Sequence, residues 1–141
     1  MARFEDLEND SDIEKVQEEI EESDERMEEI NNKISQIESV ISGLSEDKEI
    51  REKVEKNKEQ EEREKEQELR KREQLESKLD EIESNIDEIE SMNDESESQI
   101  SILESIGEDV SDAKTLIRQR ENIIQKKKNT IQELRSRVQN K

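Results

Sequence analysis

The chain has 141 residues, 48% charged and 26% hydrophobic, with a net charge of -19 and one aromatic residue, Phe4. An ordinary globular core needs an apolar share near half, so this composition leaves either disorder or extended helices. The absence of cysteine and histidine removes disulfides, thiolate nucleophiles and thiolate or imidazole metal sites.

There is no proline, and only Gly43 and Gly107 interrupt a run of good helix formers. The periodicity described below outweighs average composition, so the expected fold class is all-α. Its long coiled-coil helices should form a three-helix-bundle-like core with a charged helical spacer. The opening MARFEDLEND lacks the apolar run of a secretory signal, and no segment approaches the roughly 18 apolar residues of a membrane span. The expectation is a cytoplasmic protein, although leaderless export leaves no trace of this kind.

The first element, residues 1–44, is an acidic helix with apolar residues in alternating steps of three and four. They are Ile13, Val16, Ile20, Met27, Ile30, Ile34, Ile37, Ile41 and Leu44, with Ser23 in the one polar slot. That spacing is a coiled-coil seam. Near Gly43 the register slips against the next seam, which predicts a stammer or a break. If the chain breaks, Ser45 followed by Glu46 and Asp47 would cap a new helix.

Residues 45–74 form the charged segment. Between Glu55 and Gln74 the only apolar side chain is Leu69. Acids lie four residues before bases at Glu49/Lys53, Glu52/Lys56, Glu59/Arg63, Glu61/Lys65, Glu66/Arg70 and Glu68/Arg72. Each such pair is worth about 0.2–0.5 kcal/mol, so the segment reads as a self-supporting helical spacer.

Residues 75–141 form a helical hairpin, 75–106 and 110–140, turning at Gly107. Its first arm carries Leu75, Leu79, Ile82, Ile86, Ile89, Asn93, Ser96, Ile100, Leu103 and Ile106. Asn93 sits at a core-type position, where a buried amide fixes register or partner number, or else marks a wet part of the seam together with Ser96. Asp109 or Ser111 is placed to cap the second arm. That arm carries Ala113, Leu116, Ile117, Ile123, Ile124, Ile131, Leu134 and Val138, and its adjacent pairs widen the stripe enough to touch two neighbours. The tightest packing is expected around the turn, where Ile100, Ile102, Leu103, Ile106, Val110, Leu116 and Ile117 gather.

Charge supports the bundle. Residues 1–30 hold 14 acids and 3 bases, whereas residues 114–141 hold 9 bases and 2 acids. The basic last helix is therefore expected between acidic ones. If the spacer runs straight out of the first helix, a second chain must complete the bundle. The favoured assembly is then an antiparallel homodimer, with a monomeric hairpin turning near Asn57 and a parallel dimer as alternatives.

Chemistry is sparse. Carboxylates on solvated helix faces offer no dry concave site, so no enzymatic activity, cofactor or metal is expected. The run DLENDSDIE, Asp6 to Glu14, lacks the central glycine of a calcium loop. Lys126–Lys128 with Arg118, Arg120, Arg135 and Arg137 could meet phosphates, but no aromatic residue accompanies them, and pairing with the acidic helices explains them without nucleic acid or membrane. The expected function is a non-enzymatic coiled-coil structural or interaction protein that self-associates and acts as a helical spacer or scaffold. The alternative is a small helical adaptor completed by a heterologous helical partner. In size and hairpin character the chain is similar to small helical accessory or chaperone-like proteins encoded beside bacterial secretion effectors. It has no tryptophan, and so lacks the Trp-x-Gly turn of the related secreted hairpins.

Overall fold

The computed structural model describes residues 3–8, 11–43 and 47–140. Among these, four helices follow one another: α1 (Phe4–Glu8), α2 (Ser11–Gly43), α3 (Lys48–Ser105) and α4 (Ser111–Gln139). There is no strand among the described residues. The fold is an all-α three-helix bundle, as the apolar periodicity predicts.

The spine is α3, whose 58 residues span about 87 Å at about 1.5 Å per residue. It joins the predicted spacer and the second seam in one uninterrupted helix, so the boundary at residue 74 falls inside it. Its start is fixed by Asp47, whose side chain accepts a hydrogen bond from the Ile50 backbone N–H at 3.2 Å. The expected cap, Ser45, and the last residue of the first stripe, Leu44, lie outside the described residues.

Both α2 and α4 run antiparallel to α3. For α2 the pairings Lys58–Glu38 at 3.3 Å and Lys78–Glu19 at 3.3 Å set the register. For α4 it is set by Lys128–Glu90 at 2.5 Å and Arg135–Asp80 at 2.6 Å. Arg137 reaches across to Asp24 of α2 at 3.1 Å, so basic α4 lies between two acidic helices. The widened stripe of α4 thus meets two neighbours, as its sequence implies.

The chain reverses between Gly43 and Lys48, so α2 folds back along α3 within one chain. In the expected swapped dimer a straight spacer carries the first stripe away from the second, whereas here the two stripes meet within one chain. The contacts assigned there to a second chain are made internally, and the turn lies at the register slip rather than at Asn57. The segment 48–74 is a helix, but not a lone one, because α2 covers one of its faces.

Three helices overlap only in the middle of the rod. There Ile13, Val16 and Ile20 pack with Leu75, Leu79, Ile82, Ile86 and Ile89, and with Ile124, Ile131, Leu134 and Val138. Phe4 and Leu7 of α1 belong to the same core, and Ile123 packs against its edge. Fully burying one such aliphatic side chain is worth about 1.5–3 kcal/mol, which makes this overlap the main source of stability.

At Gly107 the backbone takes φ 91°, and the Gly107 and Glu108 N–H groups donate to the carbonyls of Glu104 and Leu103 at 3.1 Å each. This closes α3 with the left-handed glycine that such a helix end calls for. Asp109 then accepts from both the backbone N–H and the hydroxyl of Ser111 at the start of α4, and these bonds hold its carboxyl below the ordinary range.

Candidate functional site

Three local arrangements stand out from the regular packing. The first lies where the C-terminus of α4 meets α2 and α3. Ser23, Glu68 and Arg72 are all buried, Arg72 with only 2% of its surface exposed. The Ser23 hydroxyl donates to Glu68 Oε2 at 3.2 Å and accepts from Arg72 Nη1 at 3.1 Å. Arg72 also pairs with Asp24 Oδ1 at 2.7 Å and donates to the backbone carbonyls of Val138, at 3.2 Å, and Arg137. Arg26 completes the group by donating to Glu68. Each of these Arg72 bonds ends on an acceptor that its planar donor fork suits, so the group is a structural clasp.

The polar slot at Ser23 is therefore satisfied within the chain and awaits no partner. The sequence places Glu68 and Arg72 as a pair on a solvated spacer, whereas both are buried and bond to α2 and α4; both fall on the heptad carried backward from Leu75. Lys65, Glu61, Lys58 and Val54 continue that row, and all four are half-buried. Long charged side chains can lay their aliphatic stems along a seam while their heads reach water.

The second arrangement surrounds Asn93. The Arg120 guanidinium lies 4.7 Å from the centre of the Phe4 ring, a cation–π contact between α4 and α1. Beneath it a cavity of about 280 Å³ is lined by Phe4, Ile89, Met92, Asn93, Ser96 and Arg120, among others. Asn93 is 5% exposed, and neither polar atom of its carboxamide has a hydrogen-bond partner. On the other flank of the α3–α4 pair, where Glu97, Ile100, Ile117 and Glu121 line a separate pocket, carboxylate oxygens of Asp94, Glu97 and Glu121 lie within 4.8 Å of one another. All three residues are exposed, and such a group can meet a cation or a basic side chain.

The third arrangement is the pair of two-helix ends. Among the described residues no third helix covers α3 and α4 beyond Phe4, and Ile102, Leu103, Ile106 and Leu116 are exposed, Ile102 by 64% and Ile106 by 69%. The expected tight cluster around the turn does not form: of its seven members only Ile117 is buried, while Ile100 and Val110 are half-buried. Among the described residues these side chains lie past the last residue of α1 that packs on α4. At the opposite end, Ile37, Val40 and Val54 line an open groove of about 480 Å³ between α2 and α3.

Of the predicted seam, Ile13, Val16, Ile20, Met27 and Ile30 are buried, as are Leu75, Leu79, Ile82, Ile86, Ile89 and Asn93. In α4 the buried members are Ile117, Ile124, Ile131, Leu134 and Val138. Ile34, Ile37, Ile41, Ile100 and Ile123 are half-buried. Leu103, Ile106 and Leu116 are not brought into the core. Among the described residues no helix is long and apolar enough to cross a membrane.

No protein-family model, curated protein or solved structure matches this chain.

Proposed function

We propose that the protein is a non-enzymatic helical interaction protein, a stiff rod that engages a heterologous helical partner through an open end of its bundle. The observation that carries this reading is the exposure of Ile102, Leu103, Ile106 and Leu116 together at the Gly107 end, while the seams in the middle of the rod are buried within the chain. Contiguous exposed apolar side chains framed by charge are the mark of an interaction surface. Enzymatic chemistry has no comparable support, because the buried ionic groups are locked in the Arg72 clasp. Pairing of Lys128, Arg135 and Arg137 with acids of α2 and α3 supports a reading without nucleic acid or membrane.

Between the adaptor and the self-associating spacer, internal completion of the core favours the adaptor. Self-association keeps one specific support, the groove of Ile37, Val40 and Val54, where two copies could meet as a four-helix bundle about a two-fold axis.

The deciding experiment is the absolute mass by light scattering after size exclusion at two concentrations. The expected result is a monomer at both. A dimer that persists on dilution, and that Ile37→Ser with Val40→Ser dissolves, would replace the adaptor reading with the scaffold.

A further inference from the structure

We infer that the cavity beneath Phe4 binds a small uncharged molecule with an apolar body and an amide-like head, in which a hydrogen-bond acceptor and a donor lie side by side. Such a ligand sits among the packed helices and does not depend on the partner reading above.

Asn93 occupies a core-type position of α3, 5% exposed, and neither Oδ1 nor Nδ2 of its carboxamide has a hydrogen-bond partner. Arg120 lines the same cavity from α4, and its buried Nε also lacks a partner. Such a concentration of orphaned polar atoms is unusual, since the large majority of buried polar atoms are bonded. Around them Phe4, Ile89 and Met92 offer apolar surface. Water fits this space poorly: a cavity of about 280 Å³ has room for several molecules, each seeking about three bonds, and the faces of Phe4, Ile89 and Met92 supply none. An apolar cavity of about 150 Å³ holds a benzene ring, so this one has room for a ring and a polar head.

The inventory of bonds selects the head. A ligand carbonyl oxygen has two lone pairs, one for Asn93 Nδ2–H and one for Arg120 Nε–H, while a ligand N–H donates to Asn93 Oδ1. A carboxylate offers no donor, so it would leave Oδ1 unpaired and set a negative charge against it. A plain hydrocarbon would leave all of these atoms as they are. Charge does not reverse the choice, because Glu5 lines the cavity along with Arg3 and Arg120, and the Arg120 guanidinium is already stacked on the Phe4 ring. Arg3, Glu5 and Met92 are exposed whereas Asn93 is buried, so the mouth lies on their side and the amide at the inner end.

The test titrates benzamide, benzoate and toluene, which share a ring and differ in the head, into the isotope-labelled full chain, followed by NMR of the side-chain N–H signals. The expected result is that benzamide binds at least about tenfold more tightly than the other two and shifts the Asn93 carboxamide and Arg120 Nε–H signals. Asn93→Ala keeps the space and removes the amide, so benzamide should lose its advantage over toluene there. Circular dichroism checks the fold of the variant, and the signal shifts in the unmodified chain test the site without it. Benzoate binding as tightly as benzamide would overturn the uncharged head and assign the cavity to an anion. Toluene binding as tightly would overturn the amide as the selecting group. Benzamide binding that leaves the Asn93 signal unmoved, or that keeps its advantage in Asn93→Ala, would overturn the cavity as the site. Binding of none of the three would overturn the proposal and leave the cavity to water.

Discussion

Arg72 donates its Nε to the backbone carbonyl oxygen of Val138 at 3.2 Å, so a residue from the most charged stretch of the chain closes the C-terminal end of α4. Helix ends leave carbonyls without partners, and a cation there also meets the negative end of the helix dipole. The same guanidinium holds Ser23 and Asp24 of α2, so one side chain ties all three helices.

Removing it should therefore cost more than any surface pair. Arg72→Ala is expected to destabilise the fold by about 3 kcal/mol, the low end for a broken buried ion pair because Asp24 keeps part of its solvent. Arg72→Lys should recover only part of this, since an ammonium cannot reproduce the planar fork. Urea unfolding of the three proteins measures the order; equal midpoints for Arg72→Lys and the unmodified chain would show that charge alone matters.

The two glycines should respond in opposite directions. Gly107 has φ 91°, where a side chain is strained, so Gly107→Ala should cost about 1–2 kcal/mol. Gly43 lacks a positive φ, and an added methyl there meets nothing within 4 Å. Gly43→Ala at the end of α2 is expected to be neutral or to stabilise by up to about 1 kcal/mol. Thermal unfolding of the two variants reads the contrast, and a loss at Gly43 would mean that the reversal of the chain needs the glycine itself.

Much of this architecture is legible in the periodicity. Steps of three and four mark the helices, Gly107 marks the second reversal, and the doubled stripe of α4 marks a helix with two neighbours. The first reversal is harder to read because residues 48–74 look coreless when only apolar residues are counted. Arg72, Glu68, Lys65, Glu61 and Lys58 occupy core-type positions there, and the length of their stems, not their polarity, suits them to that row. The open groove at the Gly107 end is illegible for a related reason. A strong apolar run announces packing, but it does not say which helix, if any, packs against it.

Asn93 has a buried carboxamide with no hydrogen-bond partner, a state that costs about 1–3 kcal/mol. Asn93→Leu should remove that cost and fill part of the adjoining cavity, raising stability by a comparable amount. Asn93→Asp should lower it, because a charge would be buried in place of a neutral amide. Urea midpoints decide; a loss on Asn93→Leu would indicate that the amide is already well solvated within the cavity.

Glu121 ties the cluster of Asp94, Glu97 and Glu121 to pH. Partial desolvation, then the charge and hydrogen bond of Glu97 and the charge of Asp94, raise its carboxyl above the ordinary value of 4.5 against the opposing pull of Arg118. The folded chain therefore holds this proton at a pH where the unfolded chain has released it. By linkage, the Glu121 contribution to stability rises as pH falls through the folded value and levels off below 4.5. At neutral pH the ionised carboxylate opposes folding, so Glu121→Gln should be more stable than the unmodified chain there. That advantage should shrink steadily as the pH is lowered toward 4.5. Urea midpoints of both proteins across this range give the comparison. A difference that stays constant, or one that grows on acidification, would mean that Glu121 is not crowded by Glu97 and Asp94 in solution.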